Sequence, residues 1–291
     1  MRQQLKKWVK AVMPRYMKAK LAPINAVMNS VDGAPAPWDE AAVQLDQLRS
    51  EVLRIGRPNY LYGLLCAART AQAIGTKEFT AIEFGVASGN GLIALEQHAM
   101  TVGKRLGMSI RVIGFDTSLG LPSRTDPRDC PFALRGGEFK MDEAKLRARL
   151  HHAQLRLGDV AETVRSFALE NFPPIGFIAN DFDLYTSTRD SFALLDVEPH
   201  RLLPRVSMYF DDLIGYPYTT MNGEWAAINE FNSTHKDRQI GQIYGLKHRL
   251  GSVYRFTLWV EEFFVLDVFD HPSYNSHEVK ATLDLGLLPE C

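Results

Sequence analysis

Residues 81–92 read A-I-E-F-G-V-A-S-G-N-G-L and decide the fold of this chain. An apolar strand, Phe79–Val86, runs into a turn with three glycines, and a helical segment, Leu92–Met100, follows. Glycines let the backbone approach a ligand closely, and the start of a helix presents unpaired N–H groups. The stretch therefore predicts a cofactor-binding turn, although an ordinary strand-to-helix turn has the same pattern.

The spacing of the glycines narrows the class of cofactor. The dinucleotide fingerprint is G-x-G-x-x-G, whereas this turn reads G-x-x-x-G-x-G. With Glu83 just ahead of it, the turn resembles the first motif of class I S-adenosylmethionine-dependent methyltransferases, whose loop holds the amino-acid end of the cofactor. The resemblance implies that the loop residues Gly85, Ala87, Ser88 and Gly89 bind the cofactor and that Glu83 holds its amino group. The alternative for Glu83 is a strand-end residue paired with a lysine or arginine.

Composition and charge exclude several classes of protein. The chain has 291 residues, enough for one large α/β domain, with 46% hydrophobic and 23% charged residues. A net charge of -1 gives no reason to expect a nucleic-acid partner. The three cysteines are far apart and form no C-x-x-C, so we predict a reducing, cytoplasmic location. No apolar run is long enough for an integral membrane segment.

Three parts are predicted along the chain: a basic N-terminal helix and linker at 1–38, a methyltransferase-like α/β domain at 39–272, and a C-terminal tail at 273–291. The basic segment carries apolar residues on one helical face. It is predicted to be a docking segment on the body or on a second copy of the chain, as in a homo-oligomer. The alternatives are a helix on an anionic membrane surface and a targeting segment.

Two further strand ends carry candidate cofactor ligands. The second strand, Ser109–Asp116, ends on an acid that can accept both hydroxyls of a ribose, with Thr117 beside it. Gly158 and Asp159 follow the third strand, at the place where an adenine amino group is usually met in this fold. Each aspartate has a plain alternative as a helix cap or turn residue.

Longer motifs point to one family. Residues 114–122 read G-F-D-T-S-L-G-L-P, residues 180–188 read N-D-F-D-L-Y-T-S-T, and Asp211-Asp212 ends the fifth strand. From 79 to 231 these pieces resemble the macrocin O-methyltransferase family, which is metal-dependent and methylates sugars. The resemblance implies a Rossmann-like class I methyltransferase fold: a mostly parallel, seven-stranded sheet with helices on both faces and an antiparallel edge. It also implies S-adenosylmethionine as cofactor and a small hydroxylated molecule, such as a sugar, as acceptor.

Four carboxylates should meet at one edge of this sheet. Asp181 and Asp183 follow strand four, and Asp211 and Asp212 follow strand five, its expected neighbour. Carboxylates so close together require a cation, and an all-oxygen donor set favours Mg²⁺, with Mn²⁺ or Ca²⁺ as alternatives. The resemblance implies Asp181, Asp211 and Asp212 as metal ligands, Asp181 also as a cofactor contact, and Asp183 as catalytic base. Spacing alone does not separate the roles of Asp181 and Asp183. As an alternative, Asp183 and the run 186–188 lie where a helix predicted at 188–195 needs an N-cap.

Some residues depart from the family pattern. Phe182 replaces the usual glycine between Asp181 and Asp183, and no Gly-Gly precedes strand five. These departures motivate an alternative, a catalytically degenerate protein that keeps the fold and binds a partner. A nucleotide-sugar oxidoreductase is a third hypothesis, which the glycine spacing disfavours. Residues 240–269, including 253–256 and 263–266, are predicted to form the antiparallel edge, and 123–140 a long binding loop or lid.

Overall fold

The computed structural model describes residues 39–123, 126–251, 253–254 and 256–276. The predicted N-terminal helix and linker at 1–38 lie outside the described residues, as does most of the predicted tail. The division of the chain into three parts therefore stays a prediction. None of the helices within the described ranges has the length and apolar character needed to cross a membrane.

Helices surround a central sheet. In the described residues the α-helices, numbered in chain order, are α1 (Glu40–Gln47), α2 (Arg49–Ile55), α3 (Pro58–Ala73), α4 (Asn90–Leu106), α5 (Glu143–Arg147), α6 (Val160–Ala168), α7 (Tyr185–Ser191) and α8 (Gly223–Thr234). The chain needs α4 as a crossover between the first and second strands, because parallel neighbouring strands cannot be joined by a tight turn.

The described strands form one seven-stranded sheet. They are β1 (Glu78–Phe84), β2 (Ser109–Asp116), β3 (Gln154–Leu157), β4 (Ile175–Asn180), β5 (Leu202–Phe210), β6 (Arg238–Gln242) and β7 (Phe263–Val268). Their order is β3-β2-β1-β4-β5-β7-β6, and among these strands β7 alone runs in the opposite direction, so it pairs antiparallel with both β5 and β6. This mostly parallel sheet with an antiparallel edge is the class I methyltransferase fold that the resemblance predicts.

The sheet is buried on both faces. On β1, Phe79 and Ala81 belong to one hydrophobic cluster, and Ile82 and Phe84 belong to the other. Successive side chains of a strand point to opposite faces, so most positions of a strand must be apolar when helices cover both sides. That requirement explains why 79–86 is mostly apolar, with the buried Thr80 and Glu83 as exceptions.

Three segments differ from the sequence prediction. The sequence predicts the fifth strand at Ser207–Asp212, whereas β5 begins at Leu202, because a register shift between β4 and β5 accommodates Pro204, which has no N–H to donate. The sequence also predicts one helix at 39–54, and the structure divides it at Leu48 into α1 and α2. Residues 253 and 254 lie in a turn and not in a strand, so the antiparallel edge consists of β6 and β7.

Candidate active site

A cavity of about 320 Å³ lies where the parallel strands end. Ligands of open α/β sheets bind at this edge, and the volume is within the range of roughly 300 to 1,000 Å³ typical of small-molecule pockets. Most of the predicted site residues line it: Gly85, Ala87, Asp116, Thr117, Gly158, Asp159, Asp181, Asp183, Asp211 and Asp212. Gly120, Leu121, Pro122, Phe139, Val160, Phe182 and Ser187 complete the wall.

Asp116 joins the tip of β2 to the glycine turn. Its Oδ2 accepts a hydrogen bond from the amide of Ala87 at 2.8 Å, and its Oδ1 accepts one from the amide of Ser118 at 2.5 Å. Ala87 has a φ of 46°, a conformation that non-glycine residues seldom adopt. A carboxylate has about four acceptor positions, so Asp116 can hold both loops and still accept hydrogen bonds from a ligand in the cavity.

Glu83, Ser88 and Gly89 lie outside the cavity wall. Ser88 is exposed, and the side chain of Leu146 covers Gly89. Glu83 is buried beneath the glycine turn, where its Oε1 accepts a hydrogen bond from the hydroxyl of Tyr60 at 2.7 Å. Its Oε2 has no hydrogen-bond donor within the described part of the chain. Burial raises the pKa of Glu83 to about 8. The carboxyl group packs against the glycine turn, since a Cβ at Gly91 would lie 1.8 Å from its Oε1.

Glu83→Gln is expected to remove a pH-dependent loss of stability. Because burial raises the pKa of Glu83 above its usual 4.5 to about 8, the folded state holds this proton more tightly than the unfolded state. Its contribution to the free energy of unfolding is full below about pH 4.5 and is lost as the pH rises towards about 8. Between these values the wild type should lose up to about 4 kcal/mol more than the variant. Urea unfolding at several pH values measures this, and parallel curves for the two proteins would contradict it.

The four predicted aspartates come from two adjacent strands. Strands β4 and β5 pair in parallel, so Asp181, Asp183, Asp211 and Asp212 all reach the cavity. Oδ2 of Asp212 accepts a hydrogen bond from the amide of Asp183 at 3.0 Å, and the hydroxyl of Tyr218 donates to Oδ1 of Asp183 at 2.6 Å. Loss of water and the neighbouring carboxylates raise the pKa of Asp181, Asp183 and Asp212. The cluster is therefore short of positive charge.

The backbone at Asp183 is strained. Its φ is 60°, and the amide of Leu184 donates to the carbonyl of Phe182 at 2.6 Å, which closes a three-residue turn around Asp183. The ring of Phe182 stacks on Phe84 with the ring centroids 5.3 Å apart, and Phe182 also forms part of the cavity wall. A positive φ costs a non-glycine residue about 1–3 kcal/mol, and residues with this backbone conformation cluster at functional sites.

The sequence allows both Asp183 and Asp159 as helix caps, and only one of them caps a helix in the structure. Helix α7 begins at Tyr185, and its N-terminus is bound by Asp129, which accepts from the amide of Thr186 at 2.8 Å and from its hydroxyl at 2.9 Å. Asp183 therefore does not cap this helix. Asp159 does cap α6, since its Oδ1 accepts from the amide of Ala161 at 2.9 Å, and it also lines the cavity.

Sequence reasoning missed residues that hold the acidic loops from behind. The buried Glu224 of α8 accepts hydrogen bonds from the amide of Asp212 at 3.2 Å and from the amide of Phe182 at 3.5 Å. It therefore ties the ends of β4 and β5 together. Glu224 lies in the G-E-W-A-A run at 223–227. The resemblance of 79–231 to the macrocin O-methyltransferase family covers this run but assigns no role to its acid.

A second group behind the cluster is a hydroxyl between two acids. The hydroxyl of Tyr209 lies 2.6 Å from Oδ1 of Asp211 and 3.0 Å from Oε2 of Glu262. Burial raises the pKa of Glu262 to about 7. Because a tyrosine hydroxyl has one proton, a protonated Glu262 can donate to Tyr209 while Tyr209 donates to Asp211. This arrangement fixes the orientation of the Asp211 carboxylate.

The third missed residue is a cation inside the acidic cluster. Arg57, directly before α3, places Nη1 3.5 Å from Oδ1 of Asp211 and Nη2 4.0 Å from Oδ2 of Asp181. Its guanidinium carbon lies 5.3 Å from the centre of the Tyr60 ring. A separation of 154 residues between Arg57 and Asp211 explains why no local pattern indicates the pair.

The donor set fits a hard cation in its chemistry. Carboxylate oxygens are the ligands that Mg²⁺ prefers, and a guanidinium already stands between Asp181 and Asp211. Across the described ranges, however, no three His, Cys, Asp or Glu side chains gather closely enough to hold a metal ion together. The carboxylate of Asp212 instead accepts a hydrogen bond from the amide of Asp183. The cluster therefore offers suitable ligands, and two of them face Arg57.

Solved structures of similar fold include O-methyltransferases. CalS11, a calicheamicin methyltransferase, is 22% identical with a TM-score of 0.43, covering 66% of this chain and 81% of that chain. The O-methyltransferase NovP is 17% identical with a TM-score of 0.45, covering 60% and 71%. An O-methyltransferase from Bacillus cereus in complex with SAH is 14% identical with a TM-score of 0.36, covering 90% and 94%.

No protein-family model matches the chain, and no curated protein matches it.

Proposed function

We propose that the chain is an S-adenosylmethionine-dependent O-methyltransferase that methylates a hydroxyl of a small molecule, either a sugar or a sugar-containing metabolite. The observation that carries this proposal is the single cavity shared by Asp116, at the tip of β2, and by the aspartates that follow β4 and β5. A nucleoside-binding carboxylate and a cluster of proton acceptors thus face the same space. The resemblance of 114–122 and 180–188 to the macrocin O-methyltransferase motifs supports the choice of reaction.

The cofactor end of the cavity is formed by three loops. Asp116 offers its carboxylate to the ribose hydroxyls, and Gly158 and Asp159 lie beside it for the adenine. Phe182 and Val160 supply apolar walls for a flat base. S-adenosylmethionine, when bound, supplies a methyl group on a positively charged sulfur. The carboxylate of Asp181, which lines the same cavity, favours that charge.

The catalytic base is Asp183 in this proposal. The hydroxyl of Tyr218 orients its carboxylate at 2.6 Å, and the strained turn fixes its backbone. The acceptor hydroxyl gives its proton to Asp183 while its oxygen forms the new bond to the methyl carbon and the carbon–sulfur bond breaks. The raised pKa of Asp183 makes it a stronger base than an ordinary aspartate, which suits proton removal near neutral pH.

The proposal keeps Mg²⁺ as an assisting ion. Asp181, Asp211 and Asp212 are the residues that would hold it. When bound, a divalent ion lowers the pKa of the acceptor alcohol and fixes its direction. Glu224, through the amide of Asp212, and Tyr209, through the carboxylate of Asp211, hold the ligand loops in position.

Titration calorimetry with S-adenosylmethionine tests the cofactor assignment. The wild type should bind the cofactor, and Asp116→Ala should weaken binding by about 10- to 100-fold, because a ribose acceptor and the bridge to Ala87 are both lost. Asp196→Ala is the control, since this aspartate precedes β5 and pairs with His235 away from the cavity. Binding is measured with and without Mg²⁺. If the wild type binds no cofactor in either condition, the proposed function is wrong.

A further inference from the structure

The backbone and the contacts of Arg57 mark it as more than a surface cation. Its φ is 48°, and it directly precedes Pro58, the first residue of α3. A residue before proline is normally extended, and the left-handed region is costly for a side chain other than glycine. Such a conformation persists where the surroundings determine it. Here it aims the arginine at the acids that follow β4 and β5.

The guanidinium contacts its two acids loosely. Charge-assisted hydrogen bonds between arginine and carboxylate are usually about 2.7–2.9 Å long, whereas Arg57 lies 3.5 Å from Asp211 and 4.0 Å from Asp181. About a third of its side chain is exposed. Arg57 therefore supplies positive charge to the two carboxylates without a locked bidentate pair, and it can move without breaking a close contact.

We propose that Arg57 and a divalent cation compete for the same place between Asp181 and Asp211, so that Arg57 is the positioning residue that holds these carboxylates when no metal is bound. The inference rests on the metal site of the proposed function. Mg²⁺ binds oxygens at about 2.0–2.1 Å, and a second full positive charge within about 4 Å of the ion is repelled strongly. Metal and guanidinium therefore exclude one another at these carboxylates.

The position of Arg57 also connects this exchange to the glycine turn. Its guanidinium lies over the ring of Tyr60, whose hydroxyl donates to the buried Glu83 beneath the turn. A movement of Arg57 away from the acids thus uncovers one face of Tyr60, a residue that supports the turn from below. The exchange of cations at the acidic cluster is thereby connected, through Tyr60 and Glu83, to the glycine turn.

Binding of Mn²⁺ to the full-length protein tests the inference without any methyl transfer. Electron paramagnetic resonance or calorimetry gives the Mn²⁺ affinity of the wild type and of Arg57→Gln. Removal of the competing cation should make Mn²⁺ binding at least about 10-fold tighter in the variant. Arg54→Gln is the matched control, because it removes the same charge from an exposed arginine that pairs with Glu51. Its Mn²⁺ affinity should equal that of the wild type.

Two further variants keep the test decisive. Asp211→Asn added to Arg57→Gln should abolish the gain, and a gain that survives would place the ion elsewhere and overturn the inference. If Arg57→Gln does not fold, Arg57→Lys takes its place, because it keeps the charge. Arg57→Lys should bind Mn²⁺ more tightly than the wild type and less tightly than Arg57→Gln, because a single ammonium cannot span both acids.

Equal Mn²⁺ affinity in wild type, Arg57→Gln and Arg57→Lys would overturn the competition alone. No Mn²⁺ binding in any of these proteins would overturn both the competition and the metal part of the proposed function. Binding of S-adenosylmethionine is measured separately. Absence of cofactor binding in the wild type would identify a failure of the proposed function itself.

Discussion

Asp183→Asn is expected to lower kcat for methyl transfer by about 100- to 10,000-fold, the usual contribution of a positioned general base. The asparagine keeps an oxygen that can accept the hydrogen bond from Tyr218, now 2.6 Å long, so the turn around residue 183 should persist. The amide cannot take a proton from an acceptor hydroxyl. Affinity for S-adenosylmethionine should change little, because Asp183 lies at the acceptor end of the cavity.

The measurement is transfer of radiolabelled methyl from S-adenosylmethionine to a panel of hydroxylated sugars and glycosides, using the acceptors on which the wild type is active. Asp196→Asn serves as the control, since its carboxylate pairs with His235 outside the cavity wall. A variant at position 183 with wild-type kcat would show that another group removes the proton. Asp181 is then the next candidate, because sequence spacing leaves the roles of the two residues open.

Gly85→Ala is expected to have the largest effect on stability. A Cβ atom at Gly85 would lie 1.8 Å from the carbonyl oxygen of Asp181, so the tips of β1 and β4 would have to separate. The φ of 79° adds the cost of a left-handed residue. Together these effects should lower the free energy of unfolding by about 4 kcal/mol or more and weaken cofactor binding, because the glycine turn moves.

Gly75→Ala separates the two contributions to that loss. Gly75 has nearly the same φ, 80°, but a Cβ there meets nothing within 4 Å. Its substitution should cost only about 1–2 kcal/mol, the price of the left-handed conformation. Denaturant unfolding of the two variants gives the difference. If Gly85→Ala and Gly75→Ala are destabilised equally, the close approach of β1 and β4 at the cavity is not rigid.

The sequence could predict the parts of the fold that depend on local pattern. Strand β2 was predicted at Ser109–Asp116 and is found there, because an apolar run ending on an acid is unambiguous when helices flank the sheet. The start of β5 was wrong, since Pro204 reads as a strand breaker and only the register shift against β4 shows how the strand accommodates it. The segment 253–256 was predicted as a strand from composition alone, and its described residues lie in turns.

Some residues of the candidate site could likewise be predicted from the sequence, and others could not. The aspartates at the ends of β4 and β5 could be predicted because a parallel sheet brings consecutive strand ends to one edge. Arg57 and Glu224 could not be assigned, because their partners become neighbours only through tertiary packing. The buried Asp129 shows this for a loop: the sequence predicts a binding loop or lid at 123–140, and no local pattern indicates that one of its acids caps α7.

A crystal structure of the protein with S-adenosylhomocysteine tests the central claim most directly. We expect the ribose hydroxyls on the carboxylate of Asp116, the base between Phe182 and the loop at 158–160, and the sulfur directed at Asp183. Adenosine bound elsewhere, or a sulfur turned away from the acids that follow β4 and β5, would contradict the account.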